Sequence, residues 1–181
     1  MIEKKVLIGY LSPHGTTKEV AEFLKSEFLS ANIPTDLQEL EKIINIEPYL
    51  GLILAAPIQG MKWHPTASDF FMNHRYQYRQ RVLGLVATSY LIKTARPNIR
   101  TKLSEFFKHQ PQLQPHDLSA VFGGRISSPL PWFARVLFGV PRKAPLDTLD
   151  WEEIKAWAKS FIAKVEAKAE YQARIQRGGF E

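Results

Sequence analysis

The sequence predicts an α/β fold, a doubly wound five-stranded parallel sheet of order 2-1-3-4-5 with helices on both faces. Three observations carry this. Short apolar runs alternate along the chain with segments of helical periodicity. The middle runs are apolar almost throughout, as strands buried on both faces must be. Right-handed crossovers then leave few arrangements of five parallel strands, and 2-1-3-4-5 is the natural one.

The elements follow in order. Val6–Tyr10 is a strand that ends in Ser12-Pro13-His14-Gly15. Thr16 or Thr17 opens a helix, with Val20, Ala21, Phe23, Leu24, Phe28 and Leu29 at helical spacing. Glu19 and Glu22 favour its positive end, and Asn32-Ile33-Pro34 stops it. Thr35–Leu40 alternates weakly, as an outer strand does. Tyr49–Ala56 is a buried strand closed by Pro57, followed by a helix from about Pro65 to Tyr76. Val82–Thr88 is a strand, Pro97–Lys108 a helix, and Ser119–Phe122 a short fifth strand closed by Gly123-Gly124. Trp151–Lys168 is an amphipathic helix with Asp150 as its N-cap and Glu152 and Glu153 in its first turn. Residues 1–168 thus form one domain, with 125–148 as a long proline-rich insertion loop and 169–181 as a polar, frayed or projecting C-terminal tail.

Composition narrows the chemistry. A chain of 181 residues suits one domain. A domain of this size buries about two thirds of its unfolded surface and needs no covalent staple. The absence of cysteine excludes disulfides, thiolate nucleophiles, Fe–S clusters and Cys-type zinc sites. The histidines show no ligand-type spacing, so no metal site is expected. No signal peptide is visible, and no apolar stretch approaches the ~20 residues that span a bilayer. The expectation is a soluble, cytoplasmic protein. The net charge of +6 favours anionic partners, but no nucleic-acid-binding motif is present and no such partner is expected.

In a doubly wound sheet, ligands bind outside the carboxyl ends of the strands. The first such end is Ser12-Pro13-His14-Gly15-Thr16-Thr17, where hydroxyls and helix N–H groups suit a phosphate. It lacks both a following Walker-type lysine and a G-x-G-x-x-G pattern, which favours a single phosphate monoester. The third strand ends in Pro57-Ile58-Gln59-Gly60-Met61-Lys62-Trp63. There Gly60 allows close approach of backbone to a flat ring, and Met61 or Trp63 can cover its face. Ser89 and Tyr90 end the fourth strand, and Tyr90 can flank the other face. Gly123, Gly124 and Arg125 end the fifth, where Arg125 can offset charge on a reduced ring or hold an acidic substrate.

With these residues in place the chain resembles the flavodoxin superfamily. It is most similar to the branch that includes the menaquinone-dependent protoporphyrinogen IX dehydrogenases. Ser12-x-x-Gly15-x-Thr17 is similar to the family's phosphate loop. Ala56-Pro57-Ile58 followed by Trp63-His64 resembles that branch's ring-binding loop. Phe122-Gly123-Gly124-Arg125, the proline-rich segment and Asp150-Trp151 resemble its C-terminal half, and the match spans about residues 4–165. Two departures stand out. Ser12 replaces the threonine common in flavodoxins, and Gly60, Met61 and Lys62 do not fall where the dehydrogenase pattern puts its aromatic, glycine and basic residues.

The resemblance implies FMN as cofactor, bound by residues 12–17, 57–63, 89–90 and 123–125, with the chemistry on the flavin and no catalytic side chain. It implies an FMN-dependent oxidoreductase, quinone-linked or protoporphyrinogen-dehydrogenase-like, in which Lys62 and Arg125 tune the ring or touch substrate. The alternatives are a flavodoxin-type electron carrier between partner proteins and a flavin-free interaction domain. The basic charge counts against a carrier, because flavodoxins are acidic. The segment 125–148 has three open roles: a substrate lid, a peripheral membrane contact through 130–143 with Trp132 and Phe133 inserted, or a structural loop that packs its aromatics on its own core or in a homodimer interface.

Overall fold

The computed structural model describes residues 3–178. Its sheet runs β2-β1-β3-β5-β6, all parallel, built from β1 (Glu3–Tyr10), β2 (Thr35–Glu39), β3 (Tyr49–Gln59), β5 (Val82–Thr88) and β6 (Leu118–Phe122). The two-residue β4 (Lys62–Trp63) folds back antiparallel on the end of β3 and lies off this path. With β4 set aside, the order is the doubly wound 2-1-3-4-5 that the sequence predicts.

Strand alternation sends successive side chains to opposite faces. Val6, Ile8, Ile53, Ala55, Val82 and Val86 pack on one side against α1 (Thr16–Ser30) and α6 (Trp151–Gly178), through Leu24, Phe28, Phe161 and Val165. Leu7, Leu52, Leu54, Leu83 and Leu85 pack on the other against α2 (Pro65–His74), the short α3 (Leu91–Thr94) and α4 (Pro97–Ser104), and a one-turn 3-10 segment holding Phe106 and Phe107. Each fully buried Leu, Ile or Phe contributes about 1.5–3 kcal/mol of transfer free energy, which holds both layers to the sheet. Helix α6 sits close because β5 carries no side chain beneath it: a Cβ on Gly84 would lie 2.8 Å from the Phe161 ring.

The structure departs from the sequence expectation in four places. Pro57 does not close β3, which continues to Gln59. The carbonyl of Ala55 accepts from Leu11 N–H, so Ala55 and Pro57 both face the β1 side, and β1 has already turned away. The missing N–H of Pro57 therefore breaks no ladder bond, and its carbonyl accepts from His64 N–H at 3.1 Å. The helices after β3 and β5 end early, in 3-10 turns at Arg75–Gln80 and Phe106–His109, and α3 precedes the second of them. Helix α6 does not stop at Lys168 but continues to Gly178, because good helix formers run on without glycine or proline until that residue.

The fourth departure lies in 125–148. The segment is pinned at its neck by the Arg125–Asp147 bridge, by Ile126 N–H to Leu146 O (2.9 Å) and by Thr148 N–H to Gly124 O (3.1 Å). Inside it lies a helix, α5 (Trp132–Phe138), ended by Gly139 in the left-handed conformation at φ 67°. Among the described residues no helix is long and apolar enough to cross a membrane.

Candidate functional site

The carboxyl ends of β1, β3, β5 and β6 meet at one edge of the sheet. After β1 the chain turns at Gly15, whose φ of 88° only glycine adopts without strain, and no atom lies within 4 Å of where its Cβ would be. Helix α1 starts there. Its first helical bond is Glu19 N–H to Gly15 O at 3.1 Å, and Lys18 N–H donates to Ser12 Oγ at 3.0 Å. The N–H groups of Thr16 and Thr17 precede the helical ladder and face the open turn. They are the positive end of the helix dipole, offered to an anion.

The floor beneath this turn is polar and closed. Thr17 and Thr88 are both buried, with their hydroxyl oxygens 2.8 Å apart. Around them Ser12, Pro13, His14, Thr16, Pro57, Ile58, Gln59, Ser89, Tyr90, Gly124, Arg125 and Ile126 line a cavity of about 210 Å³. Sharing His14, Thr16, Arg125 and Ile126, a second hollow of about 480 Å³ opens beside it, bounded by Glu19 and by Ser127 to Pro131. The first is small for a cofactor; the two together fall within the ~300–1,000 Å³ of ligand pockets.

Two contacts set the cleft's width. A Cβ on Gly124 would lie 2.8 Å from the Tyr90 nitrogen, so only glycine lets the β6 turn approach the β5 turn. The second contact is at the mouth. Arg125 Nη1 meets both Glu19 oxygens at 2.8 and 2.9 Å, while its Nε and Nη2 donate to Asp147 Oδ2 at 3.0 and 2.8 Å. Asp147, then Glu19, raise the guanidinium above its ordinary pKa. The Asp147 carboxyl is lowered, first by the Leu149 backbone N–H, which outweighs the opposing effect of burial, and then by Arg125.

A family model for the flavodoxin domain matches residues 7–146. The chain belongs to the flavodoxin domain family. No curated protein matches the sequence. Among solved structures the fold is similar to rubredoxin oxygen:oxidoreductase from Desulfovibrio gigas, at TM-score 0.60 and 15% identity over 93% of this chain. The chain spans only 37% of that protein's length. It is also similar to oxidised flavodoxin 2 from Bacillus cereus, at TM-score 0.55 and 16% identity, covering 88% of this chain and 99% of that one. An NADH:FMN oxidoreductase in its apo form aligns at TM-score 0.54 and 14% identity, with 90% of both chains covered.

Within this flavodoxin domain the cleft gathers thirteen of the eighteen residues selected from the sequence. Ser12 to Thr17, Pro57 to Gln59, Ser89, Tyr90, Gly124 and Arg125 surround the cleft, Gly15 through its open backbone. Gly60, Met61, Lys62, Trp63 and Gly123 do not line it. Gly60 and Met61, both at positive φ (55° and 60°), form the tight β3–β4 turn, which carries Lys62 out to solvent. Met61 packs against the core, and Trp63 is buried there, its indole N–H on Ala56 O at 3.1 Å and its ring edge-on to Phe107. Gly123 is pressed against Thr148, where a Cβ would fall 1.8 Å from the carbonyl oxygen. Arg125 is in the cleft but spends its charge on two carboxylates. Sequence reasoning missed Thr88 and Ile126 as lining residues, and Glu19 as a mouth residue. The threonine read as a strand end, and no local pattern marks a glutamate that answers an arginine 106 residues away.

Proposed function

We propose that this flavodoxin domain binds FMN and acts as an FMN-dependent oxidoreductase. One observation carries the reading: four strand-end turns converge on one cleft, with the free N–H groups of Thr16 and Thr17 at its anionic end and Tyr90 with Pro57 and Ile58 in its walls. The donor set fits a phosphate monoester. Two helix N–H groups and the Thr16 hydroxyl serve its oxygens, while Ser12 is already committed to holding the turn by accepting from Lys18. Pro57, Ile58 and Tyr90 give the flat surfaces that a ring requires. When bound, FMN supplies one- and two-electron exchange; the protein supplies position and field.

The residues of the chain then have defined tasks. The Thr17–Thr88 pair fixes the phosphate turn relative to β5. Gly124 sets the spacing between the turns after β5 and β6. Arg125 pairs with Glu19 and Asp147 at the mouth and offsets one of their two negative charges. The hollow beside the cradle, with Ile126, Pro129, Leu130 and Pro131 on its wall, suits a flat apolar second reactant, and this supports a quinone-linked or protoporphyrinogen-dehydrogenase-like activity. An electron carrier is the second reading, favoured by the near-complete coverage of a single-domain flavodoxin.

The test is titration of the purified protein with FMN, followed by absorbance and by quenching of flavin fluorescence. Saturable binding with the flavin bands perturbed is expected. The loaded protein is then assayed with a soluble menaquinone analogue and with protoporphyrinogen IX. Turnover of either supports the enzyme; reduction by a protein partner alone supports the carrier. Absence of flavin binding ends both readings.

A further inference from the structure

We infer that α5 is a membrane-surface anchor whose outward apolar stripe beds into an anionic lipid bilayer. Ordinary surface helices turn their apolar side to the core. Helix α5 does the reverse: Trp132, Phe133, Val136 and Leu137, at spacings i, i+1, i+4 and i+5, are 74, 60, 72 and 60% exposed. No residue of the helix is buried, and its half-buried side carries Ala134, Arg135 and Phe138. A contiguous stripe of this kind on a soluble domain marks an interaction face.

The helix is held in that attitude rather than loosely draped. Arg96 N–H donates to Phe138 O at 2.9 Å, and the Arg96 guanidinium donates to Leu137 O at 2.6 Å, capping the negative end of α5. Gly139 lets the chain turn against Arg96, where a Cβ would meet the arginine side chain at 2.9 Å. The stripe is not a lid over the cleft, because the lining of the hollow stops at Pro131, just before the helix begins.

Charge identifies the partner. From Ile126 to Leu146 the sequence holds Arg135, Arg142 and Lys143 and no acidic residue; from Tyr90 to Ser104, the segment that carries α5, it again holds only basic charges, of which Lys93 is paired with Glu153 of α6. Exposed Arg142 and Lys143 follow directly on the stripe. Apolar insertion and a basic rim are the two signals that stable surface anchoring needs, each too weak alone. A protein groove that fits the stripe would not require exposed Arg142 and Lys143 beside it, whereas an anionic headgroup layer does. Because Pro129 to Pro131 both wall the hollow and lead into α5, such docking would bring the lipid next to the hollow's wall. The lipid contact itself stands independently of the flavin reading.

The full-length protein is sedimented with vesicles of phosphatidylcholine alone and of phosphatidylcholine with phosphatidylglycerol. Expected is co-sedimentation with the anionic vesicles only, weakened by high salt, and a blue shift of tryptophan emission that Trp132→Phe abolishes. The double variant Trp132→Ser/Phe133→Ser should lose at least about tenfold in partitioning, with circular dichroism and melting unchanged, since both side chains face water. Arg142→Glu/Lys143→Glu should also lose binding and serves as the second, independent variant. Three results overturn the proposal: wild-type protein that stays in solution with anionic vesicles, serine variants that bind as wild type, or a wild-type dimer by velocity sedimentation that the serine variants split, which would make the stripe a self-interface.

Discussion

The hydroxyl oxygens of Thr17 and Thr88 lie 2.8 Å apart beneath the phosphate turn, and both side chains are almost wholly buried. This single bond joins the first turn of α1 to the last residue of β5. It also redirects the role of Thr17: its hydroxyl is shared with Thr88 rather than standing free for a ligand.

Replacing either threonine with valine strands the other hydroxyl without its partner in a buried site. Thr17→Val and Thr88→Val should each cost about 1–3 kcal/mol in chemical denaturation, and each should weaken FMN binding by loosening the turn. The double variant removes both polar groups and should recover much of that stability. Additive losses in the double-mutant cycle would show that the pair does not act as a unit.

Gly124 tests the width of the cleft. Gly124→Ala drives a methyl group into the backbone at Ser89 and Tyr90, at 3.2 and 2.8 Å. FMN affinity should fall at least about tenfold, by a rearranged wall rather than a lost contact. Gly123→Ala, aimed at the Thr148 carbonyl outside the cleft, should chiefly lower the melting temperature. Titration and melting of both variants separate the two effects.

The mouth ion pairs should act on ligand charge more than on fold. Arg125, Glu19 and Asp147 side chains are each more than two fifths exposed, where ion pairs contribute little to stability. Glu19→Gln removes a negative charge beside the phosphate turn and should tighten FMN binding about two- to tenfold at low salt. Arg125→Gln leaves Glu19 unbalanced and should weaken it by a similar factor, both effects fading as salt screens them. Calorimetric titration at two ionic strengths checks the sign and the screening.

A polar knot at the far end of the sheet sets a pH window. Asp36 Oδ2 accepts from Tyr49 OH at 2.6 Å and meets Lys5 Nζ at 2.6 Å. Burial opposes ionisation of Asp36, but the bonds from Lys5 and Tyr49 outweigh it and lower its pKa. Tyr49 is pushed up to about 12, by burial first and then by Asp36. The lowered carboxylate contributes stability that is complete above its ordinary value of 3.8 and is lost as pH falls through the folded value. The raised phenol contributes stability that is complete below 10.0 and is lost as pH rises toward about 12. Tyr49→Phe should cost about 0.5–1 kcal/mol near neutral pH and flatten the alkaline limb of a melting-versus-pH curve. Some alkaline loss should persist, because burial also raises Tyr78.

Much of the architecture was legible because it rests on periodicity. The apolar runs at Val6, Tyr49 and Val82 reach the two-sided sheet by themselves, and Asp150 marked the start of α6, where its Oδ1 accepts from Glu153 N–H at 3.1 Å. Trp63 shows where such reading ends. A tryptophan after a strand looks the same whether it covers a ligand or fills a core, and only the β3–β4 turn sends its ring to Phe107.

By itself, then, the sequence determined the five strands of the main sheet, the helices α1, α2, α4 and α6, their order, and which turns gather at one edge, since local pattern and chain handedness suffice for these. Only the tertiary structure decided that Thr17 meets Thr88, that Arg125 is spent on Glu19 and Asp147, and that α5 turns its aromatics outward. Those outcomes depend on contacts between residues far apart in the chain, where distance and solvent access, absent from any local pattern, set the energy.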